Sequence, residues 1–112
     1  MAALTNLLIE QGATFNSTIS LFNSDDTVFD LTGHTAAGQI RKSYSSSSAS
    51  ATFTIAFSAD RTEGQITLSL TPTQTAALDE GRYVYDIETT ASDSTVTRVL
   101  QGTVTVSPNV TR

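Results

Sequence analysis

The feature that most constrains this chain is the run Leu78-Asp79-Glu80-Gly81-Arg82-Tyr83-Val84-Tyr85. An acid, a glycine and a tyrosine fall at every second position as an alternating strand opens. Beyond it Tyr83, Tyr85 and Ile87 face one way, the period-two pattern of a half-buried strand. A tyrosine this close to the start of a strand can turn its hydroxyl back onto the backbone just upstream. Asp79, Gly81 and Tyr83 therefore read as a structural corner, with the Tyr83 hydroxyl expected on a carbonyl within residues 78–80.

The same period runs through most of the sequence. Residues 7–11 make a short first strand ending at Gly12. Phe15, Ser17, Ile19 and Leu21 alternate on a second, halted by Asn23-Ser24-Asp25-Asp26, a cluster of turn formers. Val28-Phe29-Asp30-Leu31 reads as a brief strand closed by Thr32-Gly33. Ala36, Gly38, Ile40 and Lys42 then alternate with Thr35, Ala37, Gln39 and Arg41. Phe53, Ile55 and Phe57 form the clearest apolar stripe, and Ile66, Leu68 and Leu70 follow it across a polar turn over 60–64. Residues 95–106 supply the last strand. There Val99 and Leu100 are adjacent, so both can face inward only across a break in register, expected at Gly102.

One segment departs from the pattern. Thr71-Pro72-Thr73-Gln74 has a capping threonine, proline at the first helical position and glutamine three after the cap, which starts a helix. About one turn fits before Gly81. With about seven to eight short strands and this corner, the sequence predicts an all-β, immunoglobulin-like antiparallel sandwich carrying one short helical turn. Its expected core is Phe53, Ile55, Phe57, Ile66, Leu68, Tyr85 and Leu100. Tyr83 takes the place of the corner tyrosine, and Tyr85 stands where an antibody-type domain has its second cysteine.

Composition limits the functions open to such a fold. The 112 residues fit a single domain, expected over 1–112 with short contact arms at both ends. No cysteine is present, which excludes a disulfide framework, a thiol nucleophile and a thiolate metal site. The net charge of −5 argues against nucleic acid as a partner, because phosphate neutralisation dominates that affinity. No apolar run approaches the ~20 residues of a membrane-spanning helix. Met1-Ala2-Ala3-Leu4 lacks the basic start of a secretory signal, so the chain is expected to be made in a cytoplasm. Only 15% of residues are charged, against about 25% in ordinary soluble domains. Ser and Thr take their place, and such surfaces can be covered by neighbours at low desolvation cost.

Little in the sequence reads as chemistry. His34 is the single histidine, whereas a catalytic base needs an orienting acid and a zinc site needs several ligands. Asp25, Asp26 and Asp30 lack the spacing and closing glutamate of a calcium loop and read as turn residues. Asp79-Glu80, Asp86 and Glu88 read as a turn and a solvated strand face. A paired-carboxylate hydrolase needs two acids across a cleft. The sequence holds no phosphate-binding glycine loop and no nucleophile elbow. No catalytic, metal-binding or cofactor-binding residue is assigned, no cofactor is expected, and the chain is expected not to be an enzyme. Residues 43–50, a serine run with Tyr44 inside it, are a hairpin loop with two readings. It is either a solvated tip or a contact loop in which Tyr44 anchors and the serines adapt.

Three stretches together resemble a family. Ile9-Glu10-Gln11-Gly12-Ala13-Thr14-Phe15 is similar to the opening strand of small bacteriophage virion proteins. Val28-Phe29-Asp30-Leu31-Thr32-Gly33, with Ile40-Arg41 on the next strand, resembles the acid-leucine-threonine-glycine turn of the Ig-like N-terminal modules of phage baseplate upper proteins. Gly64-Gln65-Ile66-Thr67-Leu68, Gly81-Arg82-Tyr83-Val84-Tyr85-Asp86 and Gly102-Thr103-Val104-Thr105-Val106-Ser107-Pro108 continue the likeness in order over nearly the whole chain. The resemblance implies a virion building block, a tail, baseplate or head-decoration component, whose partners are other virion proteins and copies of itself. It brings no catalytic residues. Leu4, Leu7, Leu8, Tyr44, Pro108, Val110 and Arg112 are the expected contact residues, with residues 1–8 and 107–112 lying on neighbouring subunits. The alternative is a receptor- or glycan-binding module on the particle surface, with a host-surface glycan as partner, and a small hydrolase is the third and weakest.

Overall fold

The structure, a computed structural model, describes residues 3–23 and 25–110. Among the described residues nine strands form two sheets. They are β1 (Ala3–Leu4), β2 (Leu7–Glu10), β3 (Phe15–Ser20), β4 (Thr35–Arg41), β5 (Ala51–Thr52), β6 (Thr54–Phe57), β7 (Gln65–Leu70), β8 (Gly81–Thr90) and β9 (Val96–Ser107). One sheet runs β1-β9-β8-β4-β5 with β2 also on β9, and the other runs β3-β7-β6. This is the all-β, Ig-like sandwich that the alternation predicts. One helical turn, α1 (Pro72–Ala76), precedes β8.

The pairing is not wholly antiparallel. Both β1 and β2 lie parallel to β9, with Ala3 opposite Leu100 and Leu7 opposite Val104. The first strand is thus broken at Thr5-Asn6, and the break is tied down. Thr5 donates its N–H to the Gln101 carbonyl at 2.9 Å, and its own carbonyl accepts the Tyr85 hydroxyl at 2.6 Å. Asn6 Oδ1 accepts from the Thr103 N–H and hydroxyl at 3.2 and 3.0 Å. Gly102 explains why the break sits there, since a Cβ at that position would collide with the Thr5 carbonyl.

The expected register break exists, but not at Gly102. Ile87 pairs with Leu100 and Glu88 with Arg98, so Val99 is the extra residue. The bulge turns Val99 and Leu100 inward together, both buried. The expected strand over 28–31 is also absent. Only a single bridge joins Val28 to Phe22, and Asp30 bends the chain by accepting the Thr32 N–H and hydroxyl.

Residues 51–57 pass from one sheet to the other. β5 pairs with β4 and β6 with β7. Phe53 sits at the crossing, its N–H on the Gly38 carbonyl at 3.0 Å and its ring 6.2 Å from Phe15 and 6.0 Å from Tyr85. Phe53, Ile66, Leu68, Tyr85 and Leu100 are buried as expected, and Ile9, Leu31, Ile40, Leu70, Leu78, Ile87 and Val104 complete the centre. Ile55 and Phe57 are the exceptions. They are half-buried and pack against the core from outside, because β6 is an edge strand with no neighbour beyond it.

The local signals hold. Thr71 and Gln74 form a reciprocal capping box with Pro72 in the first turn. Tyr83 donates its hydroxyl to the Asp79 carbonyl at 2.8 Å, and Gly81 takes φ 137°, where a side chain would be strained. Tyr83→Phe should lower stability in urea unfolding by about 1 kcal/mol, through the carbonyl it leaves unpaired. Thr89 carries the opposite lesson. Its hydroxyl is fully buried and has no hydrogen-bond partner. Thr89→Val should therefore raise stability by about 1 kcal/mol in the same assay, and a loss would show that the hydroxyl is satisfied.

Candidate functional site

The outward-facing residues divide into three regions, set by which strands and loops carry them. On β1 and β2 the inward positions Leu7 and Ile9 are buried, while Leu4 and Leu8 on the other face are 75% and 60% exposed. Leu7 is therefore a core residue of its own chain rather than a contact for a neighbour, because β9 supplies the partner strand that sequence reading could not place. The other end also packs at home. Gln11 donates its N–H to the Ser107 carbonyl at 3.0 Å, and its side-chain oxygen accepts the Asn109 N–H at 3.4 Å. Pro108 is exposed just past the end of β9, and Val110 is 94% exposed. Arg112 lies outside the described residues, as do residues 1 and 2 of the expected N-terminal arm.

The second region is the outer face of the larger sheet beside the serine loop. Tyr44 is 84% exposed, yet its loop is organised. Arg41 Nη1 donates to the Ser46 carbonyl at 2.8 Å, and Nη2 donates to Gln39 Oε1 at 2.8 Å. The Ser46 N–H reaches the Ser43 carbonyl, and the two hydroxyls meet at 3.1 Å. A depression of about 230 Å³ lies beside it, lined by Gln39, Arg41, Tyr44, Val84, Tyr85, Asp86 and Arg98. Arg98 and Asp86 form an ion pair at 3.3 Å, each about half exposed, and exposed pairs of this kind contribute little to stability.

The third region is the loop end where β3, β6 and β8 finish. Here a single device recurs. Asp25, Asp30 and Asp60 each accept the N–H and the hydroxyl of the threonine two residues on, and Asp93 accepts the Thr95 N–H. Bonds from Thr27, Thr32 and Thr95, hydroxyl first and then N–H, hold the carboxyls of Asp25, Asp30 and Asp93 below the ordinary value of 3.8. His34 sits among them with Nδ1 3.2 Å from the Thr32 carbonyl and its ring edge-on to Phe29 at 5.4 Å. These side chains are engaged in shaping turns. Among the described residues no three His, Asp or Glu side chains converge on a metal position. The corner residues stay at the opposite end, where the Lys42 ammonium lies 4.6 Å from the centre of the Tyr83 ring.

No protein-family model matches the sequence, and no curated protein matches it. Solved structures resemble it in shape at low identity. One is AggA, the major subunit of aggregative adherence fimbriae type I from Escherichia coli. It is 12% identical over 91% of this chain and 89% of its own, with a TM-score of 0.43. Another is a family 123 glycoside hydrolase from Clostridium perfringens, 12% identical over 97% of this chain, with a TM-score of 0.44. This chain spans only 23% of that enzyme's length.

The site chemistry sets one pH dependence. Burial pushes the Tyr85 hydroxyl up to about 12, from an ordinary value of 10.0. In the unfolded chain the phenol ionises near that ordinary value, so the folded state keeps a proton that the unfolded state has lost. The stabilisation is intact below pH 10 and is lost as pH rises towards 12. Tyr85→Phe should flatten the alkaline decline of the thermal midpoint across this window. An unchanged decline would mean the hydroxyl is not sequestered against Thr5.

Proposed function

We propose that this chain is a non-enzymatic structural or adaptor component of a bacteriophage particle, acting through repeated protein–protein contacts. The observation that carries the contact reading is the outer face of β1 and β2. An edge strand places Leu4 and Leu8 on the surface within a sequence of only 15% charged residues. Exposed apolar side chains beside an open strand edge offer a surface that a neighbouring chain can cover. The phage assignment rests on the ordered resemblance to baseplate modules. On this reading the protein is made in the host cytoplasm and ends in the virion, at the tail, baseplate or head surface.

Its test is incorporation. The chain should be found at stoichiometric level in purified particles. Leu4→Lys combined with Leu8→Lys should prevent its incorporation while circular dichroism of the isolated domain stays unchanged. Normal assembly of that variant would remove the edge strand as the contact. Absence of the chain from particles would end the phage reading.

Tyr44 favours a second reading, a receptor- or glycan-binding module on the particle surface. An exposed ring on a hydrogen-bonded loop, next to Arg41 and the Arg98–Asp86 pair, offers a stacking plane with polar groups beside it. Binding to immobilised glycans that falls at least tenfold in Tyr44→Ala would support it. No binding to any glycan presented would leave the structural reading alone.

A further inference from the structure

The charge of this protein is concentrated at one end. The loops where β3, β6 and β8 finish hold Asp25, Asp26, Asp30, Asp60, Glu63 and Asp93, against Arg61 and the imidazole of His34. Elsewhere the described residues carry five acids and four bases, so the excess of negative charge lies mainly at this end. Arg61 is already engaged, lying 4.0 Å from the centre of the Phe57 ring and donating to the His34 carbonyl at 2.6 Å. Among the described residues the only ion pair is Arg98 with Asp86, on the outer sheet face. Among the described residues none of the six carboxylates is in an ion pair, and His34 is the cationic group that bears by charge on Asp30 and Asp93.

An apolar groove opens beside these loops. It holds about 190 Å³ between edge strands β1 and β3, and Ile19, Leu21, Phe22, Phe29, Val99 and Leu100 line it. Phe22 is 59% exposed and its bridge partner Val28 is 44% exposed, and Asp25 and Asp26 lie in the turn between them. Strand β3 (Phe15–Ser20) forms one wall. It has no charge and no proline, the two usual guards of an open strand edge.

We propose that this groove and its acidic loops dock a different protein, one that presents apolar side chains flanked by lysine or arginine on an extended segment. Asp25, Asp26 and Asp30, in the loop that carries the cleft residues Phe22 and Phe29, set up a field that draws and orients a basic partner, while the cleft supplies the buried contact. A second copy of this chain is not the occupant. Elsewhere its described residues carry five acids against four bases, so a second copy has no net positive charge to offer, and two acidic ends repel. The inference rests on the chain being a contact module and not on which particle it serves.

Three labelled twelve-residue peptides test it by fluorescence anisotropy against the whole protein, alternating Lys with Val, Glu with Val, and Lys with Ser. The Lys/Val peptide should bind, at least tenfold more tightly than either other, and should weaken at least tenfold on moving from low to high salt. Amide shifts on binding should gather at Ile19, Phe22, Phe29 and Leu100. Asp26→Asn with Glu63→Gln should weaken binding at least threefold. Neither side chain caps a turn, so the fold is kept. Phe22→Ser and, separately, Val28→Ser should each weaken it at least fivefold with an unchanged thermal midpoint. Equal binding of the Lys/Val and Lys/Ser peptides would show a diffuse charge effect and overturn the groove. No binding of the Lys/Val peptide, or shifts confined to another face, would overturn the proposal. The edge-strand variant with Leu4 and Leu8 changed to lysine should still bind, which separates this surface from the assembly contact.

Discussion

The hydrogen bond from the Tyr85 hydroxyl to the Thr5 carbonyl is the constraint on which the larger sheet depends. Strand β8 lies at the centre of that sheet and β1 at its margin, with β9 between them. A buried phenol that reaches across β9 can do so only because Gly102, opposite Tyr85 in the register, has no side chain. Through it the first strand breaks where its carbonyl is needed and resumes as β2. Parallel pairing with β9 then buries Leu7 and Ile9, leaving Leu4 and Leu8 outside. Burial of apolar side chains drives this docking, and the polar bonds at Thr5 and Asn6 choose its register.

How much of this was legible depended on sequence distance. The Tyr83 corner spans four residues and the capping box three, so both could be read directly from spacing. The alternation gave the sandwich because each strand's inward face repeats at every second residue. The parallel docking of β1 and β2 could not be read, since Asn6 meets Thr103 across 97 positions and nothing local announces it. For that reason Leu7 read as a contact residue when it belongs to the core. Adjacency of Val99 and Leu100 required a bulge, but glycine drew the expectation to Gly102, whose role is to admit Thr5. Ile55 and Phe57 share a stripe with Phe53, and sequence alone does not say that their strand lies at an edge.

The outward surfaces were legible in kind and not in placement. Acidic turns were visible in the sequence, yet only the topology brings the loops after β3, β6 and β8 to one end and gathers six of the eleven acids there. The repeated aspartate–threonine turns brace those loops, since each carboxylate accepts one backbone N–H and, at Asp25, Asp30 and Asp60, the threonine hydroxyl as well. Charge presented on braced loops keeps its arrangement when a partner approaches, which lowers the ordering cost of association.

The passage of residues 51–57 from one sheet to the other has a mechanical consequence. Phe53 belongs to both layers, so on that side the sheets share a continuous backbone and cannot slide past one another without breaking the Gly38 bond. On the opposite side β1 and β3 face each other with no strand running between them, and their link through residues 11–14 lies at the far end. The sandwich is therefore stitched along one flank and open along the other. Any thermal gaping of the layers must hinge about Phe53 and be widest between β1 and β3, as a book opens away from its spine.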